Sequence, residues 1–267
     1  MVRDIFKKNI GMNAEFRYRG TEPGRLENFS DAVFALAITL LLISTTPPST
    51  FEQIIKFTFD LLPFMMCITL IILIWHGHFI FYYRYGLRDN KVIVLNTLFL
   101  IIMLFYVYPL KFLTKLSLFV IALPFNIDWL LSDLRAMLKG GNMGDLMIIY
   151  GVGAASVFLV LMLLYRYALT KSDELGLNEI EIFDTKVSMR TNLLLGAIPL
   201  TSVIIALIFY KTKYVGAYSG FAYFFYGPVM AWHGHTVEKQ RNLILQNRQI
   251  INEDITAENK PEVNDEN

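Results

Sequence analysis

The sequence has few of the features that disulfide-rich, metal-binding or nucleic-acid-binding proteins use. Its single cysteine, Cys67, lies in an apolar run, which argues against a disulfide framework and a cysteine-based metal site. Charged residues make up only 18% of the 267 residues, and the net charge is +1. No basic face with interleaved aromatic residues occurs, so nucleic acid is not expected as a partner. The first 24 residues lack the apolar core of a signal peptide.

Motifs of several transport and catalytic classes are also missing. Without a Thr-Val-Gly-Tyr-Gly sequence, a filter built from rings of backbone carbonyls has no support. No Gly-x-x-x-x-Gly-Lys phosphate loop occurs, which argues against an ATP-driven pump, and no serine-protease-like or zinc motif stands out. Proton-coupled transporters usually need a carboxylate in the middle of a membrane helix, whereas Asp31 and Asp60 lie towards helix ends. The inverted repeat with broken midpoints that is typical of many transporters is not visible either. These absences favour a passive pathway or a structural role over an enzyme.

The sequence is instead rich in long apolar segments. Hydrophobic residues account for 55% of the chain, and the mean hydropathy is +0.46, values typical of a membrane protein. We predict an all-α membrane protein whose main surroundings are a lipid bilayer. Six segments are long and apolar enough to be transmembrane helices: about 30–46, 57–83, 92–113, 146–167, 193–210 and 214–235. The first is short because Pro47 and Pro48 stop it.

The remaining segments divide the chain into three parts. We predict a cytoplasmic N-terminal segment at 1–28, a six-helix membrane domain at 29–236, and a polar cytoplasmic tail at 237–267 that contains a short helix over 237–251 and is disordered at its end. Residues 116–145 are predicted to form an amphipathic or re-entrant excursion, although 116–125 are apolar enough to extend the third helix. Most of the 24 Lys and Arg residues fall on the side that holds both termini. This bias predicts cytoplasmic termini in a cell-membrane protein.

The first helix carries the strongest pattern. Ser30 and Asp31 are expected in its first turn, where their oxygens suit unpaired backbone N–H groups. A helical wheel places Phe29, Ala32, Leu40 and Ile43 near Leu36, with Thr39 at the edge of this stripe. Asp31 falls on the opposite side. Because a charge near the membrane faces protein or water, Asp31 is expected to face neighbouring helices or a wet crevice.

A polar cluster is predicted behind this helix. A short connection makes the first two helices antiparallel neighbours. His78 then becomes the natural partner of Asp31, with Ser30, Trp75 and Asn96 nearby. Such a cluster would fix the packing through interhelical hydrogen bonds. The alternative is that these side chains face unrelated partners.

All four histidines occur in two copies of one tetrapeptide, Trp-His-Gly-His, at 75–78 and 232–235. Histidine is a common metal ligand, so a metal or haem site across the copies is one interpretation. Two residues separated by two positions on a helix point about 200° apart, which excludes chelation within one copy. Interfacial tryptophan anchoring, with the histidines bound to other partners, is the simpler interpretation.

Several of these residues together resemble a known family. The pattern Arg-x-x-x-Phe-Ser-Asp at the start of a short membrane helix is similar to the signature of the transmembrane-protein-175 family of potassium channels, especially its bacterial members. The matching residues are Arg25, Phe29, Ser30 and Asp31, then Trp75 and His78, then Asn96, and finally 108–114. The likeness covers most of 25–115 and is weak beyond.

The resemblance implies a homotetramer whose first helices line a central pore selective for K⁺ over Na⁺. Leu36, Thr39 and Ile43 fall on the positions that the family uses for constriction and filter rings, and Leu40 lies on the same face. Signature residues of the family brace the pore helix from behind; here they are Arg25, Phe29, Ser30, Asp31, Trp75, His78 and Asn96. The implied partners are potassium ions and further copies of the chain, with no cofactor and no metal.

Three alternatives stay open at this stage. The Leu36 stripe could face lipid or core, as most apolar stripes on membrane helices do. The chain could be a proton-coupled or other secondary transporter that uses Asp31, His78 and Asn96 as a relay. It could also be a membrane enzyme or metal-binding protein that uses the histidine copies.

Overall fold

The structure, a computed structural model, describes residues 16–43, 48–122 and 142–258. All regular secondary structure in these ranges is helical. The all-α class predicted from the sequence is therefore confirmed. The elements are α1 Arg25–Ile43, α2 Phe51–Tyr85, α3 Asn90–Ala122, α4 Met143–Thr170, the single turn α5 Ser172–Leu175, α6 Glu179–Ile208, α7 Val215–Phe221, a 3₁₀ turn Ala222–Phe225 and α8 Tyr226–Glu258.

Local chemistry explains where several helices begin and end. The Thr50 and Asn142 side chains accept hydrogen bonds from backbone N–H groups at the starts of α2 and α4. Asn178 forms a reciprocal capping box with Glu181 at the start of α6. Gly86 ends α2 with φ of 60°, a left-handed conformation that glycine adopts without steric cost.

The start of α1 differs from the prediction. The helix begins at Arg25, which places Ser30 and Asp31 in its second turn. The acidic residue of the first turn is Glu27, whose Oε2 accepts a 3.0 Å hydrogen bond from the Gly24 N–H. Glu27 therefore serves the helix start, and Ser30 is free to bond elsewhere.

Four described helices are long and apolar enough to cross a membrane: Phe51–Tyr85, Asn90–Leu118, Met143–Thr170 and Glu179–Ile208. They contain the second to fourth predicted segments in full and the fifth except for residues 209 and 210. The first segment corresponds to α1, which has 19 residues, and positions 44–47 lie outside the described residues. The sixth segment is not one straight helix, because a 3₁₀ turn at Ala222–Phe225 separates α7 from α8.

Other boundaries also differ from the sequence pattern. The third helix continues to Ala122, so 116–122 extend it; the rest of the predicted excursion, 123–141, lies outside the described residues. The helix α6 begins at Glu179, well before the predicted start at 193, because its polar first turns bond to the N-terminal segment. The helix α8 passes position 236 without a break and ends at Glu258, so it is longer than the predicted helix over 237–251.

The helices pack around one main apolar core to which α1, α2, α3 and α4 contribute. The helix α1 lies against α2 and α3, and α4 forms its most extensive contact with α6. At Gly151 of α4, an added Cβ would lie 2.8 Å from the Pro199 carbonyl oxygen of α6. Small residues at such crossings let membrane helices approach closely.

Candidate functional site

One face of α1 is packed against the rest of the subunit. Glu27, Ser30, Phe34, Ala37 and Leu41 recur at intervals of three or four residues and are all buried. This spacing is that of one side of an α-helix. We call these five residues the packed face of α1.

The other side of α1 forms an exposed arc, made of residues 25, 28, 29, 32, 35, 36, 39 and 42. Leu36 is 50% exposed, and its neighbour on the arc, Thr39, is also exposed. At about 100° per residue, Thr39 lies near the middle of the arc and Leu36 about 50° to one side. Leu40 is half-buried, and the side chain of Ile43 is outside the described residues. The helical wheel therefore placed Leu36 on the exposed side of α1, as observed. The centre of the exposed arc lies near Thr39, however, and so farther from Leu40 than the wheel indicated.

A chain of three buried polar residues lies behind α1. The His78 Nε2 is 2.7 Å from the Asn96 Oδ1, and the Asn96 Nδ2 donates to the Ser30 Oγ at 2.9 Å. The Ser30 hydroxyl in turn donates to the Leu26 carbonyl at 2.9 Å. Because the Asn96 Oδ1 is an acceptor, this arrangement requires a proton on the Nε2 of His78. The three side chains, called here the polar chain, join α1, α2 and α3.

Aromatic rings enclose His78 and fix its orientation. The imidazole stacks on Phe99 with a centroid separation of 5.0 Å and an interplanar angle of 7°. Phe34 of the packed face and Tyr82 also contact the ring, at centroid separations of 5.7 and 4.9 Å. His78 is only 2% exposed. It is therefore a packed structural side chain that points its Nε2 at Asn96.

Asp31 has a different partner from the one predicted. Its Oδ1 accepts a 2.8 Å hydrogen bond from the Trp75 Nε1–H, whereas His78 bonds to Asn96. Trp75 and His78 are three residues apart on α2, so both point towards α1. Asp31 is exposed at the side of the packed face, which puts it within reach of the tryptophan. The prediction that Asp31 pairs with His78 was therefore wrong in the identity of the partner.

Two other signature residues lie on the open side of the subunit. Phe29 is 61% exposed and does not join the main core. Arg25 is also exposed. Within one subunit, the described residues therefore do not support the prediction that Arg25 and Phe29 brace the pore helix.

The sequence analysis missed an ion pair at the start of α1. The Arg88 Nε lies 3.1 Å from the Glu27 Oε1, and Arg88 also donates to the Glu22 carbonyl at 2.7 Å. Glu27 is 7% exposed. Glu27 is at an unspecified position of the Arg-x-x-x-Phe-Ser-Asp pattern, so the pattern did not single it out.

A further missed contact holds the other end of α1. Lys111 of α3 donates through its Nζ to the Leu41 carbonyl at 3.0 Å. One turn further along α3, Lys115 pairs with Asp60 of α2, with 2.7 Å between Nζ and Oδ1. Lys111 belongs to the stretch 108–114 that carried part of the family resemblance.

The segment that leads into α1 is also tied down. Glu181 of α6 is 1% exposed and accepts hydrogen bonds from the Arg19 guanidinium, 2.9 Å to each carboxylate oxygen, and from the Arg17 N–H at 2.8 Å. Arg19 also donates to the carbonyls of Leu175 and Gly176. Arg19 therefore joins the segment before α1 to α6 and to the α4–α6 connection. The sequence pattern did not reveal this contact.

The second histidine tetrapeptide is on α8, away from the polar chain. His233 is 3.0 Å from the Thr191 Oγ1 of α6, and Trp232 is 69% exposed. Over the described ranges, no group of three His, Cys, Asp or Glu side chains could hold a metal ion. His78 and His233 each have a hydrogen-bond partner, in line with the simpler interpretation of the copies.

The fold and the site define a class before any comparison is made. Long apolar helices, exposed apolar surfaces and buried interhelical hydrogen bonds indicate an all-α membrane protein with several spans.

Comparisons with known proteins agree and give the family. The family described as "Endosomal/lysosomal potassium channel TMEM175" matches residues 25–106. A protein named "Potassium channel" from Marivirga tractuosa is 43% identical over 251 residues, which are 92% of this chain and 100% of that protein.

Two solved structures are similar as well. The crystal structure of a variant of the potassium channel MtTMEM175, bound to a nanobody–MBP fusion, has a TM-score of 0.77 and 44% identity and covers 86% of this chain and 99% of that chain. A potassium-selective TMEM175 homologue from Chamaesiphon minutus has a TM-score of 0.50 and 18% identity, covering 76% and 95%; it supports the fold alone.

The chain belongs to the TMEM175 family of potassium channels. The resemblance stated from the sequence is therefore confirmed. Members of this family are channels and not enzymes, they need no cofactor, and K⁺ is the permeant ion.

Proposed function

We propose that the protein is a K⁺-over-Na⁺ selective channel that conducts passively through a central pore. Four copies assemble around an axis, with their α1 helices lining it. Each subunit spans the cell membrane six times, with both termini in the cytoplasm. The observation that carries the proposal is the exposed arc of α1, which presents Leu36 and Thr39 on the helix that begins with the family signature.

The narrowest part of the proposed pore is a ring of four Leu36 side chains. An apolar constriction excludes water when it is narrow, so it acts as a hydrophobic gate. Leu36 is 50% exposed in one subunit, which leaves it available to face the axis. Leu40 and Ile43 continue the constriction along the same side. Ions must lose part of their hydration shell to pass, and K⁺ holds its water less tightly than Na⁺.

Thr39 supplies a polar ring next to this constriction. Its hydroxyl donates to the Ala35 carbonyl at 2.8 Å, so the hydrogen is directed back to the helix. The oxygen lone pairs then point away from the helix and towards the exposed arc. Four such oxygens could bind a partly dehydrated cation or its water. This geometry favours Thr39 as a selectivity residue.

The polar chain and the Asp31–Trp75 bond are proposed to brace the pore helix. They join α1 to α2 and α3 on the side away from the arc. Because the packed face is fixed by directed bonds as well as by apolar contact, α1 has a defined rotation. That rotation decides which side chains reach the axis.

The transporter alternative has less support. It requires Asp31 and His78 to exchange a proton through a relay with Asn96. The described hydrogen bonds form two separate groups, Asp31 with Trp75 and His78 with Asn96. His78 is also enclosed by aromatic rings and is 2% exposed, as expected for a packed side chain.

The first experiment is ion flux into liposomes that contain the purified protein. A K⁺ gradient should drive fast flux, and replacement of K⁺ by Na⁺ should reduce it. Absence of flux of both ions in verified tetramers would refute the channel proposal and favour a carrier.

Substitutions on the arc then test the pore assignment. Leu36→Ala should widen the constriction and raise conductance or reduce selectivity, whereas Leu73→Ala on α2, 61% exposed, should change neither. Thr39→Val keeps the shape and removes the hydroxyl, so the K⁺ preference should weaken modestly. An unchanged permeability ratio would leave Thr39 as a packing residue, and no change in either quantity for Leu36→Ala would remove Leu36 from the pore.

A further inference from the structure

The C-terminal end of α1 is bonded to a lysine of another helix. The carbonyl groups at the end of an α-helix carry a partial negative charge that attracts cations. The last turn of α1 contains no basic residue of its own. Lys111 of α3 supplies the cation, because its Nζ donates to the Leu41 carbonyl at 3.0 Å.

The base of the Lys111 side chain is firmly held. Its neighbours on α3, Leu110 and Thr114, are 4% and 2% exposed. One turn further, the Lys115–Asp60 ion pair, 2.7 Å long, connects α3 to α2. Lys111 therefore reaches α1 from a backbone that is fixed on two sides, so its reach limits where the end of α1 can lie.

The helix α3 thus contacts α1 at two levels. Asn96 bonds to Ser30 near the start of α1, and Lys111 bonds to Leu41 near its end. The two contacted positions of α1 are 11 residues apart, about 16 Å along a helix. Thr39 lies between them and only two residues from Leu41. Of the two exposed residues assigned to the pore, Leu36 and Thr39, a displacement of the Lys111 contact would therefore act more strongly on Thr39.

We propose that Lys111 is a positioning residue that sets the lateral position of the C-terminal half of α1 and thereby the width of the pore at Thr39. This inference rests on the proposed function, in which α1 lines the pore. Lys111 does not touch the ion. It acts through the Leu41 carbonyl, so its removal should alter selectivity more than the presence of flux.

The test compares variants in liposomes by the ratio of K⁺ to Na⁺ flux per assembled channel. Lys111→Met keeps the aliphatic stem and removes the donor and the charge, so the ratio should fall several-fold. Lys111→Arg keeps both and should retain a ratio close to that of the wild type. Lys211→Met, the matched control, makes the same replacement at an exposed lysine after α6 that has no contact with α1 among the described residues, so its ratio should stay unchanged.

A wild-type ratio in Lys111→Met would overturn the inference, and so would an equal loss in Lys211→Met. If Lys111→Met does not assemble, Lys111→Gln keeps a donor on a shorter, uncharged side chain and should give an intermediate ratio; a wild-type ratio would again overturn it. Failure of the proposed function looks different, because the wild type itself would then show no K⁺ flux or no preference for K⁺ over Na⁺.

Discussion

Asn96 is the residue whose replacement tests the polar chain most directly. It accepts a hydrogen bond from His78 and donates one to Ser30, so it is the only member bonded to the other two side chains. Asn96→Leu keeps a similar volume and removes both bonds. We expect this variant to lose stability and to loosen the attachment of α1 to α2 and α3.

The expected loss can be worked out from the contacts. His78 is 2% exposed and loses the acceptor of its Nε2–H; an unsatisfied buried donor costs about 1–3 kcal/mol. Ser30 keeps its bond to the Leu26 carbonyl, so its share is about 0.5–1.5 kcal/mol, the usual net value of one bond. The sum is about 2–4 kcal/mol, at the upper end for interhelical hydrogen bonds in membranes.

The assay is thermal unfolding of the purified protein in detergent, followed by tryptophan fluorescence. A loss of 2–4 kcal/mol should lower the Tm by roughly 5–15 °C for a chain of this size. Thr97→Val is the matched control. Thr97 is the next residue on α3, is exposed, and donates only to the Ile93 carbonyl of its own helix. Its replacement should shift the Tm by less than about 2 °C, as for other surface substitutions.

The reasoning fails if Asn96→Leu unfolds within about 1 °C of the wild type. That result would mean that the bonds to His78 and Ser30 contribute nothing net, and that apolar packing alone holds α1. A Tm loss as large in Thr97→Val would point to a general sensitivity of α3. Either outcome would remove the physical basis for treating the polar chain as a brace.

Three further predictions concern separate parts of the fold. Asp31→Asn weakens the charge-assisted bond from Trp75 and should reduce tetramer stability or open probability more than K⁺/Na⁺ selectivity; a clean loss of selectivity in intact tetramers would contradict this. Arg19→Met should cost about 3–5 kcal/mol in the free energy of unfolding because the buried Glu181 carboxylate loses its guanidinium partner and keeps only backbone N–H donors. The double variant with Glu181→Leu should be more stable than Arg19→Met alone, and equal or lower stability would refute the argument from desolvation. Gly151→Ala places a Cβ 2.8 Å from a backbone carbonyl of α6, so chemical denaturation should show a loss of about 1–3 kcal/mol, and wild-type stability would indicate that the two helices separate easily.

The fold class was predictable because the signals are local. Long apolar segments with few charges can only be satisfied as helices in a membrane, since each helix bonds its own backbone. The second to fifth segments were therefore located well. Boundaries such as the start of α6 were missed, because its first turns are polar and are stabilised by Arg17 and Arg19, more than 150 residues away in sequence.

The site was predictable only in part. The residues Ser30, His78 and Asn96 were expected to cluster because they share one end of neighbouring helices, and they do form one hydrogen-bonded chain. The partner of Asp31 was not predictable from this argument. Trp75 and His78 are one turn apart on α2, and a small rotation decides which of them meets Asp31.

The sequence by itself determined that this protein is helical, lies in a membrane and belongs to a family of potassium channels. These properties follow from composition and from a short motif, both of which are read along the chain. Only the tertiary structure decided which side of α1 is packed, which partner each polar side chain takes, and that Lys111 and Glu27 hold the two ends of that helix. The reason is geometric: these contacts join α1 to residues 44 to 70 positions away, and their choice depends on the rotation of whole helices.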